Sequence, residues 1–390
     1  MRKRDYIIIT LVLLLSTLLA AHVTSVALIN RPLLTLPSFN FSKKVYDAQP
    51  CGENRKIDGL DQSAYPQIRK LKEYQEVCGT FPASRVMLFS EMPNSEVNAQ
   101  AMATKMADIL KEYDKYNIPP LIIMEPVTDW GAIDFNEFRD GFYDSWLDAY
   151  FAKLKELGVT DKQMGMWVPF PEANLPYWNH QNSKPDDFAI NVTKIVTIQK
   201  RYFPGSQASV MLNSATYEND DFDWSSGDYL SLAPYLKDIP KGLIDSFGYQ
   251  GLPWLPAANQ SGGGVVDANQ YLNADLAKSA ADTLGVKNIW FNTGSFGRKY
   301  TLDEERTIIV TPEQRKDILS GVLVQANKLK EQGYSVSVNL FSQDKSADKE
   351  ATDWSYWPAK EPKSTADSIV FADFAAALHN NKIELWLFDR

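Results

Sequence analysis

The 390-residue chain is poor in histidine and lacks an excess of positive charge, and each shortage argues against a class of function. Its three histidines, His22, His180 and His379, are too few for a His-rich zinc site or a buried Ser-His-Asp triad. The net charge of −9 argues against a nucleic-acid partner, because phosphate binding needs a basic face. No GxSxG, GxGxxG or Walker A motif occurs, so the sequence predicts no cofactor, and no metal site is evident.

The first 29 residues contain a long hydrophobic run. A basic cluster at residues 1–5 precedes an apolar stretch from Tyr6 to Ile29. About 20 apolar residues suffice to span a bilayer, and the basic end is expected to stay in the cytoplasm. Residues 1–29 are therefore predicted to be an uncleaved signal anchor in the cell membrane, with the C-terminal part outside the cell. A cleavage site at Ser25-Val26-Ala27 is the alternative, and it would make the protein secreted.

Cysteine is also scarce. Cys51 and Cys78 fit an exported chain with one disulfide, and two free thiols are the alternative. If Cys51 follows a first strand and Cys78 ends the first helix, the two lie at opposite ends of a barrel, unless the preceding segment folds back.

Residues 30–42 form a linker rich in Pro, Ser and Asn, and residues 43–390 alternate strand and helix patterns. Continuous apolar runs, typical of parallel strands covered on both faces, predict the strands. They are Lys43–Ala48, Arg85–Glu91, Pro120–Glu125, Met164–Glu172, Ala208–Asn213, Leu243–Gln250, Asn288–Asn292 and Ser335–Phe341. Eight strands alternating with eight helices predict a single α/β domain, the (β/α)8 TIM barrel, with a doubly wound open sheet as the alternative. A last strand pattern, Ile383–Phe388, has no clear place in this count.

Two helix patterns are distinctive. Asn136–Leu157 carries apolar residues at helical spacing and predicts one continuous helix. Thr311-Pro312-Glu313-Gln314 is a capping box with a first-turn proline, and it predicts a helix that runs to Gln332 and ends at Gly333.

Polar residues follow the predicted strands at their carboxyl ends, where a barrel of this kind has its active site. Carboxylates and amides that converge on one rim need partners, so a purely structural protein has little reason to gather them there. Any one of them could still be a capping or turn residue. As a set they predict a pocket that hydrogen-bonds the hydroxyl groups of an oligosaccharide or polysaccharide. The set is Glu91, Glu125, Glu172, Asn213, Tyr249, Gln250, Asn292, Gln343 and Asp344.

Glu172 is the strongest catalytic candidate, because it ends the apolar run Trp167-Val-Pro-Phe-Pro. A carboxyl group at the mouth of an apolar strand is poorly solvated, so its pKa is expected to rise and let it hold a proton near neutrality. A general acid needs that proton. A loop carboxylate paired with a lysine or arginine is the alternative interpretation.

Aromatic residues crowd the loops after the strands. Tyr177 and Trp178 follow Glu172, and Trp254 and Trp357 lie in later loops. Tryptophan and tyrosine combine a flat apolar face with a polar edge, which suits the C–H face of a pyranose ring. These residues are therefore predicted to bind sugar, although such rings can also pack over the rim of a barrel.

The run Pro169-Phe-Pro-Glu172-Ala-Asn174, with Tyr177 and Trp178 behind it, resembles the acid/base motif of family 26 glycoside hydrolases, the β-mannanase-type barrels of clan A. The resemblance implies that Glu172 is the acid/base and that Asn174 and Tyr177 help to line the pocket. It also implies a β-mannan-like or related β-glycan substrate. Pro171 stands where the family has a histidine that orients the glutamate.

A second departure concerns the nucleophile, which in the family is a glutamate that ends the seventh strand. The strand predicted in that place, Asn288–Asn292, ends without a carboxylate, whereas a retaining glycosidase needs two carboxyl groups about 5 Å apart. Glu125 or Glu91 could act as general base on water in an inverting enzyme, or the run Asp303-Glu304-Glu305 could fold back. The sequence thus predicts an extracellular O-glycosyl hydrolase, with a catalytically inactive glycan-binding protein as the alternative.

Overall fold

The computed structural model describes residues 51–52, 55–128, 131–175, 184–214, 232–253, 267–302, 307–347, 352–357 and 366–388. The chain divides into two units, Met1–Lys43 and Lys44–Arg390, and every described residue belongs to the second. The predicted anchor, the linker and the predicted strand Lys43–Ala48 lie outside the described residues. Within the described ranges, no helix is both long and apolar enough to cross a membrane.

Eight parallel strands close into a barrel, which confirms the (β/α)8 prediction over the open sheet. Each strand is hydrogen-bonded to the strands before and after it, and the last strand pairs with the first. The strands are β1 (Arg85–Ser90), β2 (Pro120–Met124), β3 (Met166–Pro169), β4 (Gln207–Asn213), β5 (Ser246–Gln250), β6 (Asn288–Thr293), β7 (Ser335–Leu340) and β8 (Glu384–Phe388).

The C-terminal strand pattern completes this barrel. β8 lies between β7 and β1, and its Trp386 is level with Asn339 on one side and Arg85 on the other. All eight barrel strands therefore lie C-terminal to the predicted strand at 43–48. Each later strand that the sequence predicted thus has a number lower by one in the barrel. The strand that carries Asn292 is the sixth and not the seventh. The seventh, β7, is followed by Phe341-Ser342-Gln343, so neither β6 nor β7 is followed directly by a glutamate.

Helices surround the barrel in the described part of the chain. They are α1 (Pro66–Cys78), α2 (Glu96–Lys115), α3 (Phe135–Arg139), α4 (Asp144–Glu156), α5 (Asp161–Met164), α6 (Pro185–Tyr202), α7 (Ala233–Leu236), α8 (Ala268–Tyr271), α9 (Ala274–Leu284), α10 (Pro312–Glu331) and α11 (Ala366–Asn380). A small sheet of four short strands is formed by Lys299–Thr301, Thr307–Ile309, Asp344–Lys345 and Thr352–Asp353.

The two distinctive helix patterns had different outcomes. The capping box at Thr311 is present, with both reciprocal hydrogen bonds to Gln314, and it opens α10 as predicted. The single helix predicted over 136–157 is wrong, because the chain breaks into α3 and α4. Gly141 lies between them with a φ of 96°, a conformation that interrupts a helix and that glycine adopts readily.

The barrel interior is filled by alternate strand residues, since successive side chains of a strand point to opposite faces. Trp290 occupies its centre, with its ring 5.6 Å from that of Trp386 and its Nε1 donating to Ser209 Oγ at 2.9 Å. A β-carbon on Gly248 would lie 2.4 Å from the Trp290 ring, so only glycine fits there. The ring closes the barrel below Asn292, the next inward residue of β6.

Cys51 and Cys78 form a disulfide, with Cα atoms 5.0 Å apart. Cys78 is the last residue of α1, and the Cys51 N–H donates to its carbonyl oxygen at 3.4 Å. The two cysteines are therefore not at opposite ends of the barrel, because Cys51 lies directly beside the C-terminal end of α1.

We expect Cys51→Ser combined with Cys78→Ser to lower the free energy of unfolding by about 3–4 kcal/mol, since the disulfide closes a loop of 27 residues in sequence separation. Urea unfolding without reductant measures the difference. Reductant should shift the wild type toward the variant and leave the variant unchanged. Equal midpoints for the variant and the oxidised wild type would contradict the prediction.

Gly248→Ala should destabilise the protein by about 1–3 kcal/mol, because the new methyl group overlaps the benzo ring of Trp290. Thermal unfolding measures this loss. Trp290→Phe removes the ring atoms that clash, so the double variant should be more stable than the sum of the two single losses predicts. Strict additivity would show that the two residues do not interfere.

Candidate active site

Glu172 lies at the carboxyl end of the barrel, on a turn with unusual backbone geometry. Phe170 and Glu172 have φ angles of 51° and 57°, in the left-handed region that non-glycine residues rarely adopt. Phe170 is fully buried among the helix residues Phe135 and Phe138, with ring centroids 5.3 and 4.9 Å away. The Glu172 N–H donates to the carbonyl oxygen of Met211 in β4 at 3.0 Å. The turn is thus anchored outward by Phe170 and tied to β4 through Glu172.

The half-buried Glu172 side chain accepts two hydrogen bonds from amides on one of its carboxylate oxygens. Asn213 Nδ2 donates to Oε1 at 2.8 Å, and Gln250 Nε2 donates to the same oxygen. Neutral donors that point at a carboxylate favour its ionised form. Side chains from β4 and β5 therefore fix the position of Oε1.

The hydrogen bonding continues through the next two strands of the barrel. Gln250 Oε1 accepts from Asn292 Nδ2 at 2.5 Å, and Asn292 Oδ1 accepts from Asn339 Nδ2 at 2.6 Å. Asn339 is completely buried, and its Nδ2 lies 3.8 Å from Met87 Sδ. Gln250, Asn292 and Asn339, from β5, β6 and β7, form a connected set that we term the amide row.

Asn174 supports Asn213 from below the rim. Its Oδ1 accepts from the Asn213 N–H, and its Nδ2 donates to the Asn213 carbonyl oxygen, both at 2.8 Å. Asn174 is 4% exposed, so its amide serves the β4 backbone rather than lining the pocket as predicted. Asn174 thus acts on Glu172 indirectly, by holding Asn213.

Aromatic rings gather at another side of the barrel mouth, around β8 and β1, which lie three and two strands away from β3, the strand that leads to Glu172. Phe388 stacks on Phe341 at 4.6 Å, and its edge contacts Phe89 at 5.3 Å. Trp354 adds a ring 5.9 Å from Phe341. These four residues, which we term the aromatic wall, make one side of the mouth apolar while the amide row makes the other polar.

Trp354 is held in the wall by the small sheet. Its N–H donates to the Gln343 carbonyl oxygen at 2.7 Å, and the neighbouring Asp353 forms an ion pair with Arg298. The Asp353 carboxylate also accepts from the Ser355 N–H at 2.9 Å. The indole is buried, at 1% exposure, so it supports the wall from behind.

Glu91 and Glu125 lie side by side at the ends of β1 and β2, since Ser90 and Met124 are partners in register. Glu91 is exposed and Glu125 is half-buried. Both line a cavity of about 560 Å³ that extends along α2, where Met102 and Lys105 are among its other lining residues. The described lining residues of this cavity do not include Glu172.

Two predicted sugar contacts lie elsewhere. Tyr249 points outward, 1% exposed, with its ring 6.4 Å from Phe291, and burial raises the pKa of its hydroxyl. It faces the helices because it alternates with the inward Gly248 and Gln250. Trp357 is 5% exposed and packs on Tyr74 of α1 at 4.8 Å. Its Nε1 donates to Glu73 Oε2 at 2.8 Å, so it is a packing residue.

The remaining predicted contacts, Tyr177, Trp178 and Trp254, lie outside the described residues, as does the run at 303–305. Across the described ranges, no group of three or more His, Cys, Asp or Glu side chains is placed to hold a metal ion.

Asn339, Phe89 and Phe388 were not predicted from the sequence. Asn339 carries a detectable signal, because it is an amide at an inward position of the strand Ser335-Val-Ser-Val-Asn-Leu340. It becomes informative only with the register that pairs it with Asn292. Phe388 belongs to a strand whose place the sequence did not show.

No protein-family model and no curated protein matches the chain. Solved structures with a similar fold include the β-glucosidase from Thermotoga maritima in complex with castanospermine, with a TM-score of 0.53 and 11% identity over 81% of this chain and 86% of that one. Its complex with cyclophellitol gives 0.53 and 12% over the same shares. The family 1 β-glucosidase in complex with isofagomine lactam gives 0.51 and 12% over 80% and 87%. At these identities the likeness establishes the fold alone, which is a (β/α)8 barrel.

Trp357→Ala should lower the free energy of unfolding by about 3–5 kcal/mol, the loss typical of deleting a buried ring. Denaturant unfolding measures it, and Trp357→Phe, which keeps an aromatic ring between Tyr74 and α11, should cost less. A variant as stable as the wild type would instead return Trp357 to the set of exposed candidates for sugar binding.

Proposed function

We propose that the protein is a glycoside hydrolase that acts on a polysaccharide outside the cell, with Glu172 as general acid. The observation that carries this proposal is the conformation of Glu172, which is left-handed and held by Asn213 and Gln250 at the carboxyl end of the barrel. A non-glycine residue in this region costs on the order of 1–3 kcal/mol and persists where the surroundings enforce it, often at an active site.

The hydrogen bonds assign different roles to the two oxygens of Glu172. Oε1 accepts from both amides, so a proton on this carboxyl group resides on Oε2. General acid catalysis requires that proton to pass to the oxygen of the glycosidic bond as the bond breaks. Asn213 and Gln250 then stabilise the carboxylate that remains, because both already donate to it.

The two sides of the barrel mouth support a carbohydrate substrate. A pyranose ring has apolar C–H faces and a rim of hydroxyl groups, which match the half-buried Phe89 of the aromatic wall and the half-buried Gln250 and Glu172 of the polar side. The similar barrels are β-glucosidases bound to castanospermine and isofagomine lactam, and the motif around Glu172 resembles that of family 26. These likenesses support a β-glycan, of β-mannan type or related, as the proposed substrate.

Glu125 is the proposed general base. It follows β2, next to the strand that leads to Glu172, and it is half-buried at the same end of the barrel. A base that activates water across the sugar from the acid gives an inverting enzyme, whose carboxyl groups lie about 6.5–9.5 Å apart.

Glycan binding without catalysis is the second candidate, and the composition of the rim favours it. The described inward residues of β4 to β7 nearest the mouth are the amides Asn213, Gln250, Asn292 and Asn339. The half-buried Gln250 is the member of this set that is accessible to a sugar hydroxyl, and amides provide neither a nucleophile nor a base.

The extracellular location belongs to the same proposal. Residues 1–29 form the proposed signal anchor, and the disulfide between Cys51 and Cys78 suits an oxidising compartment. Fractionation of the native host should place the full chain in the membrane, with its C-terminus accessible from outside. A mature chain in the medium that begins near Leu28 would favour the cleaved signal peptide.

Glu172→Gln should reduce turnover on natural glycans by about 10²–10⁴-fold, while glycan binding persists, because the amide keeps the shape but cannot donate the acid proton. Aryl glycosides with good leaving groups should lose less. Glu96→Gln, an exposed carboxylate change in the first turn of α2, is the control that should leave turnover unchanged. Unimpaired hydrolysis by Glu172→Gln would exclude Glu172 as the acid, and a wild type inactive on a broad glycan panel would favour binding alone.

Glu125→Gln should be comparably damaging, on both natural and activated substrates, because activation of water is needed whatever the leaving group. NMR of the first product formed by the wild type should show the inverted anomer. A retained anomer, or a fully active Glu125→Gln variant, would remove Glu125 as the base.

A further inference from the structure

We infer that the amide row is a positioning relay, through which the buried Asn339 sets the orientation of Gln250 and hence the protonation of Glu172. The inference rests on the proposed function only in that Glu172 is taken as the acid. The hydrogen bonds that carry it join Asn339 to Asn292, Asn292 to Gln250, and Gln250 to Glu172.

The direction of the relay follows from the chemistry of its end. An ionised carboxylate only accepts hydrogen bonds, so Gln250 must turn its NH₂ group toward Glu172. Its carbonyl oxygen then faces β6, where Asn292 must present its own NH₂ group. The Asn292 carbonyl oxygen in turn faces β7 and needs the donor that Asn339 provides.

Coupling of this kind is reciprocal. If the charge on Glu172 favours one orientation of Asn339, then that orientation of Asn339 favours the charge on Glu172. Asn339 is 0% exposed and lies four strands from β3, so it acts through Asn292 and Gln250 rather than by contact. Hydrogen bonds in such a chain also strengthen one another in a medium of low polarity.

Other groups near Glu172 do not change with the relay. Asn213 approaches from β4 with its own donor to Oε1, and among the described residues the carboxyl groups that follow the two preceding strands are Glu125 after β2 and Glu91 after β1. These three residues are unchanged in every variant below, so a difference in the Glu172 titration among the variants is due to the amide row.

The consequence is that Asn339, a buried residue away from the proposed substrate, influences the pKa of Glu172. Without the Asn339 donor, Asn292 and Gln250 are able to turn round, and Gln250 then presents a carbonyl oxygen to Glu172. A carbonyl oxygen accepts from a protonated carboxyl group and repels an ionised one, so the apparent pKa of Glu172 should rise.

The test is a pH titration of the Glu172 side chain by NMR, on the folded protein labelled with ¹³C at the glutamate carboxyl carbon. The Glu172 signal is identified by its absence in Glu172→Gln. Asn339→Leu should raise the apparent pKa of Glu172, by up to about one unit. Gln250→Met, which removes the last donor itself, should raise it by about one unit or more.

The decisive comparison is the double variant. Because the effect of Asn339 passes through Gln250, Asn339→Leu should add no further shift in the Gln250→Met background. Ser337→Ala, on the same strand and the same face, is the matched control and should leave the titration unchanged. Should Asn339→Leu fail to fold, Asn292→Leu interrupts the relay at the next position and makes the same prediction.

An unchanged Glu172 titration in a folded Asn339→Leu variant would overturn the relay, as would an equal shift in the Gln250→Met background. The measurement uses no substrate, so it separates the two proposals. A relay that holds in a protein without hydrolytic activity overturns the hydrolase and retains the relay. If hydrolysis depends on Glu172 but the titration of Glu172 is insensitive to Asn339→Leu, the relay is overturned and the hydrolase is retained.

Discussion

Closure of the barrel by β8 is the constraint on which the rest of the structure depends. Once β8 pairs with both β7 and β1, every barrel strand has two neighbours, and alternation decides which side chains enter the interior. That rule places Asn339, Asn292 and Gln250 inside at the level of the mouth, with Trp290 closing the barrel beneath Asn292. It also sends Tyr249 outward into the apolar layer beneath the helices.

The mouth is organised by neutral donors, while charged pairs stabilise its surroundings. Glu172 is held by two amides that impose direction without the desolvation of a second charge. The surrounding loops are stabilised by ion pairs between side chains, such as that of Arg298 with Asp353. The fully buried Arg315 donates to Asp367 at 3.0 Å and lies 4.5 Å from the Tyr356 ring. This division leaves Glu172 with neutral hydrogen-bond donors on Oε1 and places these ion pairs in the surrounding loops and helices.

The resemblance to family 26 covers a much shorter part of the chain than the (β/α)8 fold does. It depends on the short motif around Glu172, and Glu172 follows the third strand of a barrel that is counted from Arg85. The strand that carries Asn292 is the sixth, so its lack of a carboxylate is not the loss of a residue from the family's seventh strand. β7 is likewise followed directly by no glutamate, and the proposed mechanism therefore uses Glu125 and water rather than a glutamate nucleophile.

The sequence by itself determined the class of fold and the strand ends, because apolar runs and capping residues report local geometry. It identified the barrel, the helix start at Thr311 and the rim residues Glu172, Asn213, Gln250 and Asn292. Only the tertiary structure decided that β8 closes the barrel, that Asn339 joins the rim, and that Trp357 packs between α1 and α11. These facts depend on pairing between distant segments and on which face each side chain takes, and no local pattern contains that information.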